Sequence, residues 1–318
     1  MRILITGGSG FIGTNIVNYY NEKKIDVMSI DIAPPRNKDH MPFWKQVDIL
    51  KLGALTECLH EFSPTHMIHL ASRTDLNGKH INEYIANTVG TENVIKAINS
   101  YGKTEKALFA SSMLVCKVGY IPQSYNDYKP STVYGESKVR MEEIIKTYEN
   151  MACNWIILRP TSIWGPWFDA PYRDFFDLVI KKQFVHPGNK ACTKTYGYIG
   201  NSVYQIDKLL CSQNESLDGK TFYIGDIPPV NISEWADEIL GELGCPPAHK
   251  VPILLFHLAA LLGDLLVKLG FKFPMTSFRL KNMTTNNILN LDDLYAVVGA
   301  PPYSRQKGIR ETLKWLQQ

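Results

Sequence analysis

The hydrophobic pattern along the first half of the chain alternates between two periods. Short apolar or β-branched runs recur at residues 2–6 (RILIT), 26–31 (DVMSID), 66–71 (HMIHLA), 107–112 (ALFASS) and 154–159 (NWIILR), as buried strands require. Between them, Gly13 to Lys23 and Ile81 to Ser100 place apolar residues at three- and four-residue spacing, for example Ile85, Val89 and Asn93, the last flanked by Val94 and Ile98. That spacing predicts helices packing one face on a sheet. Regular βα alternation in turn predicts a parallel sheet with crossover helices. No internal repeat or low-complexity segment interrupts it.

After Trp164-Gly165-Pro166 the rhythm breaks into aromatic, Pro-rich and Gly-rich stretches, with one further strand at Thr221 to Ile224. The expected architecture is α/β: a Rossmann-type doubly wound parallel sheet with a smaller C-terminal α/β substrate-binding lobe. Residues 1–165 form the first domain, rejoined by about 195–225, and 166–194 with 226–318 form the lobe. In the lobe, Pro252 to Leu269 is the most apolar stretch, interrupted by His257, Asp264 and Lys268. Three polar groups argue against a bilayer span and favour a buried or lid helix over the substrate site. Contact of 252–269 with a membrane surface or a partner is the alternative.

Composition changes this picture little. Of 318 residues, 45% are apolar and 20% charged, the balance of an ordinary globular protein. The net charge of +3 arises from 34 basic and 31 acidic residues that are intermixed, so no single-sign field suggests nucleic acid as a partner. The six cysteines, at 58, 116, 153, 192, 211 and 245, form no C-x-x-C pair and accompany no zinc-spaced histidines. They predict reduced thiols, no metal site and a cytoplasmic protein. A strand begins at Arg2 in place of a basic and then apolar leader, so no export signal is expected.

The segment Thr6-Gly7-Gly8-Ser9-Gly10-Phe11-Ile12-Gly13 follows the first strand and opens the first helix, the context of a dinucleotide-binding turn. Gly7, Gly10 and Gly13 would allow the tight turn, the approach of the backbone to a pyrophosphate and close helix–strand packing. The helix start at Phe11 and Ile12 would offer N–H groups to the anion. Asp31 ends the second strand 18 residues beyond Gly13, where a carboxylate would accept from the adenosine ribose hydroxyls and repel a 2′-phosphate. NAD is thereby favoured over NADP, with Arg36 and Lys38 downstream as the opposing signal.

Tyr134-Gly135-Glu136-Ser137-Lys138 opens a helix running to about Tyr148, and the spacing puts the phenol and the ammonium on one face. A neighbouring cation stabilises phenolate, so the tyrosine could serve as a base nearer neutrality than its ordinary ~10.

Together TGGSGFIG, the strand FASS ending at Ser112, YGESK and LRPTSIWGP resemble the extended short-chain dehydrogenase/reductase family, in its NAD-dependent epimerase/dehydratase branch. The resemblance is strong over residues 1–166 and weaker beyond. It implies that Ser112, Tyr134 and Lys138 are catalytic, with Ser111 the alternative to Ser112. It also implies that Asp48 and Ile49 contact adenine, that Leu70, Ala71 and Ser72 form the strand end beside the cofactor, and that Asn87 in NTVGT lies there too. The chain departs from the family pattern at Val115-Cys116-Lys117, where V-Y-G is frequent, at Ser162 in place of an asparagine, and at Lys194 and Asn201 in place of arginine and aspartate.

The resemblance implies hydride transfer between nicotinamide and a secondary alcohol or its ketone, with Tyr134 exchanging the proton, Ser112 bonding the reacting oxygen and Lys138 holding the nicotinamide ribose. The leading expectation is an NAD-dependent nucleotide-sugar epimerase, with the sugar diphosphate held by some of Arg173, Lys181, Lys182, Lys190, Lys194 and Arg279. Trp164, Trp167, Phe168, Tyr172, Phe175 and Phe176 would enclose the ketone or form simple core. A nucleotide-sugar ketoreductase, a 3β-hydroxysteroid-dehydrogenase-like enzyme and a non-catalytic dinucleotide sensor are the competing readings. The family further implies a homodimer through helices at about 81–100 and 134–149.

Overall fold

The computed structural model describes the whole chain apart from Pro171, Asn189, Lys190, Lys272 and Pro274. Lys190, expected among the diphosphate-holding cations, thus lies outside the described residues. The chain first builds β1 (Arg2–Thr6), α1 (Phe11–Glu22), β2 (Asp26–Asp31), β3 (Trp44–Gln46), α2 (Leu52–Phe62), β4 (His66–His69), α3 (Ile85–Tyr101), β5 (Lys106–Ala110), α4 (Val133–Thr147) and β6 (Asn154–Pro160). It continues through β7 (Ser162–Trp164), α5 (Tyr172–Ile180), β8 (His186–Pro187), β9 (Thr193–Lys194), β10 (Tyr196–Tyr198), α6 (Ile199–Cys211) and β11 (Lys220–Ile224). It ends with β12 (Val230–Asn231), α7 (Ile232–Glu242), β13 (Lys250–Val251), α8 (Ile253–Lys268), α9 (Ser277–Thr284), α10 (Asp292–Val298) and α11 (Arg305–Leu316).

Seven strands form one sheet in the order β11-β6-β5-β4-β1-β2-β3, and every neighbouring pair is parallel. Successive side chains of a strand point to opposite faces. Ile3 and Ile5 therefore enter one core with Ile16 and Val17 of α1, while Leu4 enters the other with Leu55, Leu59, Ile95 and Ile98 of α2 and α3. Helices cover both faces, as a parallel sheet requires. The strand order reverses between β1 and β4, and at such a switch point the carboxyl ends of the strands open a crevice for a ligand.

The rest of the chain is a smaller α/β region of two-stranded pairs and helices. Its aromatic residues are chiefly core. Trp164, Phe168 and Phe176 are buried, Trp164 packs edge-on to Trp235, and Phe175 stacks on Trp235 with centroids 4.8 Å apart. Of the two roles open to these rings, Trp164, Phe168, Phe175 and Phe176 take that of core, Trp167 packs on Trp315, and Tyr172 bonds to Ser162.

A correction concerns the apolar stretch 252–269. It is a helix, α8, but only Phe256, Ala260 and Gly263 are buried. Its leucines face outward, so α8 is neither a core helix nor a closed lid. Among the described residues no helix is long and apolar enough to cross a membrane.

Candidate active site

The turn after β1 is built as a cradle. Gly7 has φ +74°, and a Cβ there would lie 2.5 Å from the Ala71 nitrogen. A Cβ on Gly13 would lie 2.4 Å from the Gly7 carbonyl oxygen. Only glycine permits this turn, the first position for its backbone angle and both for close approach. α1 then begins at Phe11 and Ile12 with no side-chain cap on Gly10 and no acidic residue in its first turn. Its first N–H groups and their partial positive charge are thereby left for an anion.

The walls of the crevice come from the expected positions. Asp31 accepts from the backbone N–H groups of Ser9 and Ala33, both at 3.1 Å, which fixes the carboxylate at the edge of the cradle. Leu70 and Ala71 donate their N–H groups to Thr6, at its carbonyl and hydroxyl oxygens, and so hold the end of β4 against the glycine turn. The Ser72 hydroxyl donates to the Leu70 carbonyl. Asp48 accepts from the Leu50 N–H at 2.9 Å, whereas the Ile49 side chain turns into the core and its carbonyl accepts from Asn93. A glycine cradle, uncapped helix start and ribose-side carboxylate on one crevice fit a dinucleotide.

Asn87 behaves differently from its expected place beside the cofactor. Its amide donates to the Ser137 hydroxyl at 2.8 Å and to the Arg73 carbonyl, while its oxygen accepts from the Arg73 N–H. With these bonds made inside the protein, Asn87 ties the loop after β4 to α4, the helix that carries Tyr134 and Lys138. Nearby, the Thr91 hydroxyl donates to the Asn87 carbonyl, so His69 Nε2 donates to Thr91 and Nδ1 accepts from Thr6. Burial pushes that imidazole down to about 3, so it stays neutral.

Thr132 caps α4 by accepting from the Gly135 N–H, which sets Tyr134, Lys138 and Glu142 one turn apart on one face. A Cβ on Gly135 would lie 2.3 Å from the Leu114 oxygen, so the helix start abuts the turn that follows Ser112. Ser112 accepts from the Leu114 N–H, and its hydroxyl interacts with the Tyr134 phenol. Ser111 points the other way and donates to Glu142 at 2.6 Å. Of the two serines, Ser112 is the one that faces the tyrosine.

Electrostatics differ from expectation. Burial raises the Tyr134 phenol to about 12, with the Ser112 interaction pulling it partly back. Burial also lowers Lys138 to about 7, and its ammonium donates to the Ala110 carbonyl at 2.8 Å. A desolvated amine turned to the strand end does not lower the phenol as the four-residue spacing suggested.

On the substrate side, Ser162 accepts from the Tyr172 hydroxyl at 2.8 Å. Lys194 is half-buried and donates to the Asn282 carbonyl, and Arg279 lies on the exposed side of α9. Arg173 instead sits over the Trp315 ring and beside Asp177, and Lys182 occupies a left-handed turn after α5. The expected cations do not gather into one clamp among the described residues. Missed by sequence reasoning are the Glu142–Arg159 pair beneath the site and Tyr84, whose ring centroid lies 6.1 Å from that of Tyr134. The four-residue step from Lys138 to Glu142 was the available signal.

Fold and crevice define a Rossmann-type protein with a site that fits a dinucleotide. Residues 3–225 match the NAD dependent epimerase/dehydratase family, and the chain belongs to it. It is similar to the N-acetyl-alpha-D-glucosaminyl-diphospho-ditrans,octacis-undecaprenol 4-epimerase of Escherichia coli O157:H7, at 25% identity over 99% of this chain and 95% of that one. It is also similar to a 3 beta-hydroxysteroid dehydrogenase/Delta 5-->4-isomerase of Mycobacterium tuberculosis, at 27% identity over 76% and 70% of the two chains. In three dimensions it resembles the NAD complex of the UDP-glucose 4-epimerase of Thermus thermophilus, with TM-score 0.72, 21% identity and coverage of 100% and 99%.

Proposed function

We propose that this chain is an NAD-dependent epimerase acting on a carbinol of a sugar carried on a diphosphate, a nucleotide sugar being the expectation from sequence. The observation that carries the reading is the pairing of Ser112 and Tyr134 at the sheet's carboxyl edge beside a cradle that fits a dinucleotide. Gly7, Gly10, Gly13, the start of α1 and Asp31 would hold NAD, with Asp48, the strand end at Leu70 to Ser72 and Lys138 alongside. Bound NAD supplies reversible hydride acceptance at the substrate carbon. Tyr134 exchanges the proton of the carbinol oxygen, and the Ser112 hydroxyl steadies that oxygen. Lys138 provides an amine one turn from the phenol, lowered by burial to about 7 and held against the Ala110 carbonyl. Ser162 and Tyr172 would orient the sugar, and Lys194 and Arg279 would be the cations to meet its diphosphate. A 4-epimerase that matches nearly the whole chain supports this reading, and a 3-beta-hydroxysteroid dehydrogenase and a 2-alkyl-3-oxoalkanoate reductase match with similar coverage.

The test is an assay of diphosphate sugars with catalytic amounts of NAD. Accumulation of the epimer with no net NADH is expected; one NADPH consumed per product would make the enzyme a reductase, and oxidation of a sterol alcohol would favour the steroid reading. The enzyme acts in the cytoplasm as a homodimer in this proposal. Ile85 and Val89 of α3 lie exposed beside Ile144 of α4, in a groove also lined by Asn82, Arg140 and Glu143, a mixed apolar and polar surface that would take the same helices of a second copy. Val89→Arg should then convert the dimer to monomer in sedimentation.

A further inference from the structure

α8 presents an unusual surface. Phe256, Ala260 and Gly263 recur at four- and three-residue spacing and face the protein, where they meet Val185, Val251, Met275 and Leu280. Gly263 lies so close to the Met275 carbonyl that no side chain fits between them. Asp264 accepts from the Ser277 N–H at 3.0 Å and pins the start of α9. The helix is thus held by one stripe, Phe256, Ala260 and Gly263, and most of its remaining circumference faces outward. Leu254, Leu258, Leu261 and Leu265 are each more than half exposed, as are Phe271 and Phe278 beyond the helix. A helix apolar nearly all round belongs in a core or against lipid, and contiguous exposed apolar surface of this kind marks an interaction site.

Charge indicates which. From Lys250 to Lys281 the sequence carries Lys250, Lys268, Lys272, Arg279 and Lys281 against the single carboxylate Asp264. Cations flanking an apolar helix face complement an anionic lipid surface. Two copies meeting through this face would bring one cationic segment against another, which disfavours self-association.

The same hairpin leads to the active site. Beyond α9, Asn287 bonds to Thr193, accepts from the Gly119 N–H at 2.8 Å and reaches the Met113 sulfur, next to Ser112. Lys194 anchors the end of α9 through Asn282. A substrate with its sugar at Tyr134 could extend along this lobe towards the leucine face.

We infer that the chain docks on an anionic bilayer through the leucine face of α8, and that the diphosphate of its sugar substrate is esterified to a membrane polyprenol. This rests on the epimerase reading for the chemistry and on α8 alone for the docking.

The test uses the full chain with vesicles of phosphatidylcholine alone or with phosphatidylglycerol. The protein should float with the anionic vesicles, less with neutral ones and less at high salt. Leu258→Glu/Leu261→Glu/Leu265→Glu, which alters only outward-facing side chains and should melt like the parent, should reduce flotation by about tenfold or more. With N-acetylglucosaminyl diphospho-undecaprenol in those vesicles the variant should lose turnover, yet match the parent on a short-chain, water-soluble prenyl analogue. Failure of the parent to float, or a parent dimer made monomeric by the triple substitution, would overturn the docking while leaving the epimerase reading intact. Flotation with faster turnover of UDP-N-acetylglucosamine than of the vesicle-borne sugar would overturn the polyprenol. Flotation without turnover of any diphosphate sugar would defeat the epimerase reading and the polyprenol together, and leave the docking standing.

Discussion

Arg159 and Glu142 form a fully buried two-pronged ion pair, with Nε to Oε1 at 2.8 Å and the second guanidinium nitrogen to Oε2 at 2.7 Å. Glu142 also takes the hydroxyl protons of Ser111 and Tyr128, and Arg159 reaches the Tyr125 carbonyl and the Tyr223 hydroxyl. Burial would raise the Glu142 carboxyl, but Arg159, Ser111 and Lys146 outweigh it and hold it below its ordinary value. The pair therefore couples α4, which carries Tyr134 and Lys138, to β6, and the Ser111 bond ties the same carboxylate to the chain just after β5, next to Ser112. Glu142→Gln should leave the guanidinium uncompensated and cost about 3–5 kcal/mol in urea unfolding. The double variant Glu142→Leu/Arg159→Met should recover much of that loss, because it removes both charges; a double variant as unstable as the single would show that packing rather than charge is at stake.

Tyr134→Phe removes one hydroxyl from a position whose ring remains packed near Tyr84. The variant should fold and bind NAD with parental affinity while turnover falls about 10²- to 10⁴-fold, as for loss of a general acid–base group. Turnover within about tenfold of the parent would remove Tyr134 from the chemistry.

Much of this site was legible because its parts are local in the chain. The glycine turn, Asp31 at the end of β2 and the four-residue step from Tyr134 to Lys138 each declare themselves within one strand–turn–helix unit. Ser111 and Ser112 could not be separated by sequence alone. Neighbouring residues point opposite ways, and only the position of Glu142 fixes which one faces the tyrosine. Asn87 carried a motif position, but its role follows from Ser137, 50 residues away. The outward leucines of α8 illustrate the deeper limit. Periodicity measures how apolar a helix is, whereas its exposure depends on which neighbours arrive, and here only the stripe around Gly263 is met.

Lys138 gives a pH signature. Its pKa is lowered by burial from 10.5 to about 7. Between those values the unfolded chain binds a proton that the folded chain does not, so unfolding free energy rises with pH. The contribution is complete above the unfolded value and is lost as pH falls through the window towards 7. Tyr134, raised to about 12, acts in the opposite sense only above its ordinary 10.0. The melting temperature of the cofactor-free parent, relative to Lys138→Met, should therefore climb from neutral pH to about pH 9. A constant difference across that range would mean that Lys138 titrates normally.

In the proposed enzyme, the choice between NAD and NADP should turn on Asp31 and on how Arg36 is occupied. The Asp31 carboxylate is fixed by Ser9 and Ala33 at the edge of the cradle, where a 2′-phosphate would meet a like charge. Arg36, the residue best suited to such a phosphate, is held away from that task. Its Nε donates to the Ser9 carbonyl, and its guanidinium donates to the Trp167 carbonyl and pairs with Asp169 at 2.5 Å. Asp31→Ser alone should lower the preference for NADH over NADPH by about tenfold, equivalent to ~1.4 kcal/mol, because it removes repulsion without supplying a cation. Asp31→Ser/Asp169→Ala should shift the ratio by about a further tenfold, since the released guanidinium can pair bidentately with a phosphate. Dissociation constants for both reduced dinucleotides, followed by nicotinamide fluorescence, decide the matter; a double variant no different from Asp31→Ser would show that Arg36 takes no part in selecting the cofactor.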